Sequence, residues 1–195
     1  HGYWEKCDTL DEMPKKSKTF ISLCLVDITE NYELKTKLIN QRPVIAMIFI
    51  DNYRDVVETI ADDKIPLLSA LIDRKLTDMA SNQGSVIKKL EKDRYIFITS
   101  YENLQNYKET KFEILSSIKE INIGNHIPVT LSIGIGVYDN STESAYKNAK
   151  TAIDLALGRG GDQVVLKEGD NYSFFGGKSG EVSPNARIRA RVKAE

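Results

Sequence analysis

Histidine, cysteine and tryptophan are scarce in this chain of 195 residues, at two, two and one copies. His1 and His126 are too few for a histidine-rich metal centre or for a serine triad with a well-placed base, which excludes several common hydrolase classes from this segment. Cys7 and Cys24 lack the Cys-x-x-Cys spacing, so neither a metal ribbon nor a disulfide framework is indicated and a reducing compartment is the default. The longest apolar run, Val44 to Ile50, falls far short of the roughly 18 to 20 residues that span a bilayer, and no basic leader precedes an apolar stretch. The segment is expected to be soluble. An excess of one charge is also missing: at a net charge of −1, nothing favours bulk attraction to nucleic acid or membrane.

What is present suits one domain with a short appendage, long enough to bury a real core. Thr19 to Val26 alternates like a strand, and Glu30 to Asn40 follows as a polar, helix-compatible stretch with Leu34 and Leu38 one turn apart. From Arg42 onward the pattern is α+β. Val44 to Ile50 predicts a central strand with Asp51-Asn52 as a helix start, and a helix from Pro66 carries Leu68, Ile72, Leu76 and Met79 on one face. Ser85 to Leu90 and Tyr95 to Thr99 predict a hairpin turning at Glu91 to Arg94. A helix is expected over 108–121, a strand over 129–137 with Gly134 and Gly136 allowing close backbone approach, and an alanine-striped helix over 144–157. Gln163 to Lys167 and Tyr172 to Phe175 predict a last hairpin. Arg187, Arg189, Arg191 and Lys193 alternate with small or apolar residues, which reads as a solvated or interdomain strand face rather than a nucleic-acid groove lacking its aromatics.

The succession IFIDNY at 48–53, KLEKDRYIFIT at 89–99, LSIGIG at 131–136 and GRGGDQVV at 158–165 resembles a GGDEF nucleotide-cyclase domain. The resemblance covers roughly 43–167 and implies a palm-like fold, a mostly antiparallel sheet flanked by helices. The signature itself is replaced by Glu91-Lys92-Asp93-Arg94-Tyr95. Against the family's first-strand motif, Phe49 stands where a metal-binding aspartate is expected, Asp51 keeps the second carboxylate and Arg54 keeps a cation. Val57 stands where an asparagine reads guanine. Asp93 matches an acidic hairpin position, and Arg94 replaces the next acid. The product-inhibition Arg-x-x-Asp aligns with Asn82-Gln83-Gly84-Ser85. Leu157 and Gly161 replace a phosphate-binding lysine and arginine, with Arg159 close by.

This pattern of losses, with Phe175-Gly176-Gly177-Lys178 and the basic strand after it, closely resembles the degenerate GGDEF domain of GdpP-type cyclic-di-AMP phosphodiesterases. The strand, Asp27-Ile28-Thr29 and helix at the start are similar to the exit of a PAS sensor domain. The resemblance implies residues 1–41 as a PAS remnant and connector helix, 42–178 as the degenerate domain and 179–195 as a linker strand. Beyond them it implies a DHH/DHHA1 catalytic module that uses manganese, and a parent protein that is membrane-anchored and homodimeric. Diguanylate cyclase activity is not expected; the alternatives are a feeble magnesium-dependent ATPase in this domain and an interaction or dimerisation module with no ligand. If a nucleotide binds, it is ATP-like, with Asp51, Asn52, Arg54, Asp93 and Arg159 as its contacts and Asp51 with Asp93 holding magnesium weakly. Set beside this, Asp51 and Asp93 read more simply as a helix cap and a turn residue, and 159–162 as a glycine helix stop with an aspartate turn.

Overall fold

Val44, Ala46, Ile48 and Ile50 send alternate side chains to one face of strand β1 (Pro43–Ile50), and Ile45, Met47 and Phe49 to the other. Both faces are covered, which is why the strand reads as a continuous apolar run. In this computed structural model, which describes residues 29–139 and 141–177, β1 lies inside a six-stranded sheet. The strands are ordered β2-β3-β1-β4-β5-β6, with β2 Val86–Glu91, β3 Arg94–Ser100, β4 Leu131–Val137, β5 Gln163–Glu168 and β6 Asn171–Gly176. Only the β4–β5 pairing is parallel. The α+β, mostly antiparallel sheet expected from the sequence is present.

One face of the sheet carries α3 (Ile65–Ser81), α4 (Tyr101–Glu109) and α5 (Ile114–Lys119), and the main core fills that layer around Leu68, Ile72, Leu76, Leu104 and Ile118. The other face carries α6 (Thr142–Gly158), whose Ala145, Ala149, Ala152 and Ala156 are fully buried. Gly134 and Gly136 let it settle there: a Cβ on Gly134 would lie 2.2 Å from the Ile153 backbone nitrogen, and one on Gly136 would lie 2.0 Å from the Ala145 carbonyl. Ser141 caps α6, its hydroxyl accepting from the Ser144 amide, and Ser144 returns a contact to the Ser141 amide.

Two expectations are corrected. The helix expected over 108–121 is split into α4 and α5, because Lys111 and Phe112 both adopt positive φ, at 49° and 55°. Left-handed backbone costs about 1–2 kcal/mol per residue. The kink turns Phe112 into the core, its ring centroid 6.4 Å from that of Tyr107 and 5.0 Å from that of Phe175. The strand expected from Val129 begins only at Leu131, because the Asn52 side chain takes the Pro128 carbonyl and the Thr130 amide.

The connector helix α1 (Thr29–Asn40) buries none of its residues and leaves Tyr32, Leu34 and Leu38 exposed. The strand at 19–26 and the basic strand at 187–193 lie outside the described residues.

Candidate functional site

β1 and β3 pair antiparallel with Phe49 opposite Arg94. The Arg94 guanidinium lies over the Phe49 ring, 4.9 Å from its centroid, and its Nε is 3.6 Å from Glu91 Oε2. Phe49 stands where the cyclase resemblance calls for a metal-binding aspartate, and Arg94 where it calls for the acid that follows the Asp93 position. An aromatic ring supplies no oxygen ligand and a fixed positive charge repels a metal cation, so Phe49 and Arg94 do not fit the magnesium of that family. Lys92 is exposed at the hairpin tip, and Asp93 is half-buried beside it. The Asp93 carbonyl accepts from the Ile50 amide at 2.8 Å, which sets the turn beside the end of β1 and brings the backbones of Asp93 and Asp51 together.

Asp51 faces the other way along the sheet, towards the loop between α6 and β5. Its Oδ2 accepts from the Asp162 backbone amide at 2.9 Å, and its own amide donates to the Thr130 carbonyl at 3.0 Å. Burial of the carboxylate raises its pKa above the ordinary value; the Ser132 hydroxyl, the Asp162 amide and the Thr130 hydroxyl pull it back, and the Asp162 charge pushes it up again. The residue as a whole stays exposed, so solvent screens part of that rise. Gly161 closes the corner at φ 72°, and a Cβ there would lie 2.7 Å from Asp51 Oδ2.

The remaining predicted contacts are dispersed. Asn52 uses both ends of its amide internally, donating to the Pro128 carbonyl at 2.8 Å and accepting from the Thr130 amide at 3.1 Å. Arg54 is exposed on the short helix α2 (Tyr53–Glu58), and Val57 is packed against the main core, leaving no polar group to read a base edge. Arg159 is turned towards β6, stacked 4.5 Å over the Phe174 ring with its Nε donating to Gln163 Oε1 at 3.3 Å. Asp51 and Asp93 are brought side by side through the backbone. Arg159, at the end of α6, is held by Phe174 and Gln163 rather than by either carboxylate.

Three residues outside the expected set complete the Asp51 corner. Lys119 Nζ donates to Asp162 Oδ2 at 2.7 Å, while Asp162 Oδ1 is buried without a partner. Ser132, fully buried in β4, sets its hydroxyl beside the Asp51 carboxylate and lowers its pKa. The signal in the sequence was Ser132 itself, a polar residue inside the apolar strand LSIGIG. Lys119 carried none, because it arrives from a helix far along the chain.

The hairpin is clamped to α3 by a second polar cluster. Lys89 Nζ reaches both Asp73 oxygens at 3.0 Å and Ser69 Oγ at 2.7 Å, and Tyr95 donates to Asp73 Oδ1 at 2.6 Å. Burial, then the Asp73 carboxylate, push the Tyr95 phenol far above its ordinary range.

Comparison with known proteins agrees with this geometry. Residues 48–174 match the family described as cyclic-di-AMP phosphodiesterase GdpP-like, GGDEF domain. The chain is 38% identical over 171 residues to the cyclic-di-AMP phosphodiesterase PdeA of Listeria monocytogenes, covering 87% of this chain and 26% of that protein. It is 33% identical, with the same coverages, to the cyclic-di-AMP phosphodiesterase GdpP of Bacillus subtilis. The chain thus spans about a quarter of these relatives' length. Among solved structures, the active GGEEF domain of a Vibrio cholerae diguanylate cyclase superposes with a TM-score of 0.56 at 14% identity, over 71% of this chain and 90% of that one. The GGDEF domain of DgcB from Caulobacter crescentus gives 0.57 at 13% identity, over 70% and 84%. At such identities the solved structures speak for the fold, and the sequence relatives for the family: the chain belongs to the GdpP-like GGDEF domains of cyclic-di-AMP phosphodiesterases.

Proposed function

We propose that this chain is a regulatory segment of a membrane-anchored cyclic-di-AMP phosphodiesterase, relaying the state of a preceding sensor domain to a downstream DHH/DHHA1 module and having no diguanylate cyclase activity of its own. The observation that carries the reading is the Arg94–Phe49 stack, which fills the metal position with a cation and a ring. Val57 and the side-chain-free Gly161 support it, because base reading and phosphate neutralisation have lost their groups as well. A weak magnesium-dependent ATP site is less well supported, since Asn52 is bonded internally and Arg159 is stacked away from Asp51.

Two experiments test the reading. The purified chain with GTP and magnesium should yield no cyclic-di-GMP above a heat-killed control, and product would overturn the claim about the cyclase. In the parent protein, Lys35→Pro should leave basal cyclic-di-AMP turnover and abolish its regulation, because proline inside α1 costs about 3 kcal/mol or more. Lys35→Ala, which keeps the helix, is the control. A proline variant regulated like wild type would make this domain a spacer.

A further inference from the structure

Among the described residues, three with side chains adopt left-handed backbone: Lys111, Phe112 and Asp162, at φ 49°, 55° and 56°. Such backbone is costly away from glycine and persists only where the surroundings hold it. Both strained places act on the same short stretch of chain. Phe112 meets the ring of Phe175 at 5.0 Å between centroids, and the Asp162 carbonyl accepts from the Gly177 amide at 3.0 Å. Between them lies Gly176 at φ 77°, packed so closely that a Cβ would sit 2.8 Å from Leu115 Cδ1 and 3.3 Å from the Asp162 carbonyl oxygen. The end of β6 and the residue after it are therefore held by the α4–α5 kink, by α5 and by the α6–β5 loop.

We propose that these contacts form a clamp that fixes the direction in which the chain leaves β6, with Asp162 as its positioning residue. Gly176 and Gly177 stand in sequence at φ 77° and 86°, and a pair of glycines unheld would let the chain swing. The clamp removes that freedom. Asp162 ties three elements to it: its amide donates to Asp51 Oδ2 at 2.9 Å at the end of β1, its Oδ2 accepts from Lys119 Nζ at 2.7 Å on α5, and its carbonyl takes Gly177. Glycine would adopt a φ of 56° at less cost. The aspartate stands there with a carboxylate that Lys119 draws towards α5, so a shift of α5 or of the end of β1 reaches Gly177 through one residue. The proposal does not rest on the regulatory reading.

The test is amide hydrogen exchange of the 195-residue chain, followed residue by residue by NMR. The Gly177 amide is expected to be protected in the wild type. Lys119→Met, a change at a partly exposed side chain, should speed exchange at Gly177 by about threefold or more while the Ile48 amide in β1 keeps its rate. Phe112→Leu, which keeps an apolar side chain and removes the ring contact, should speed Gly177 more than Ile48. Lys89→Met, on the opposite edge strand β2, should leave Gly177 unchanged. An unprotected Gly177 in the wild type overturns the proposal, as does a Gly177 rate that neither Lys119→Met nor Phe112→Leu moves. A rise at Gly177 matched by an equal rise at Ile48, or reproduced by Lys89→Met, would report loss of global stability and overturn it equally.

Discussion

Arg94 lies 4.9 Å over the ring of Phe49, so the residue that replaces a metal-binding aspartate and the residue that replaces the last acid of the hairpin signature are partners of each other. The paired change keeps the β1–β3 junction satisfied and the hairpin in place.

The stack can be weighed by mutation. Arg94 is about half exposed, a setting in which a cation–π contact is worth about 0.5–1 kcal/mol. Arg94→Ala is expected to lower unfolding free energy by about that much in a urea titration. The double change Phe49→Asp with Arg94→Glu should create magnesium affinity at the hairpin without cyclase activity, because Leu157 and Gly161 still lack phosphate cations. Calorimetry and a product assay check the two halves separately.

Gly161→Ala is expected to destabilise by about 1–2 kcal/mol from its positive φ alone, and further from the clash with Asp51. In an Asp51→Ala background the second part should vanish. Equal costs in both backgrounds, measured by denaturant unfolding, would show that the Asp51 contact carries no energy.

Gly134→Ala should be more severe, at or above the top of the about 1–3 kcal/mol that overpacking typically costs, because its methyl would meet the Ile153 backbone rather than a side chain that can turn away. Far-UV circular dichroism and Tm report this. Gly84→Ala, with nothing within 4 Å, should show only the cost of its φ of 60°.

The Asp51 carboxyl has a direction in pH. Its folded pKa is raised, chiefly by burial, so the folded state binds this proton more tightly than the unfolded chain does. The stability it contributes is complete below the unfolded value near 3.8 and is lost as pH rises through the folded value. Asp51→Asn keeps an acceptor for the Asp162 amide and removes the titration. In EDTA, the stability of wild type relative to Asp51→Asn should therefore fall as pH climbs from the acid side towards neutrality. Parallel curves would show that Asp51 is not perturbed.

Cutting the hairpin clamp should cost less than its four polar contacts suggest. Lys89 and Asp73 are each a third or more exposed, so Lys89→Met is expected to lose no more than about 1 kcal/mol. Tyr95→Phe, which removes a buried hydroxyl bonded to Asp73, should lose about 1 kcal/mol.

The sequence by itself determined the α+β class, the succession of elements from β1 to β6, the hairpin, the close packing of α6 on Gly134 and Gly136, and the loss of the metal and phosphate residues. Each of these is written in local period, in spacing along the chain or in residue identity. Tertiary structure decided the rest. The split between α4 and α5 follows from Phe112 meeting Tyr107 and Phe175, partners that no local propensity announces. The late start of β4 follows from Asn52 reaching across to Pro128 and Thr130. The roles of the candidate residues were decided by approach in space: Asp51 faces the Asp162 amide, Arg159 lies over Phe174, and Lys119 meets Asp162 from a separate helix. A sequence states which charges exist, and only the folded chain sets which of them are within reach of one another.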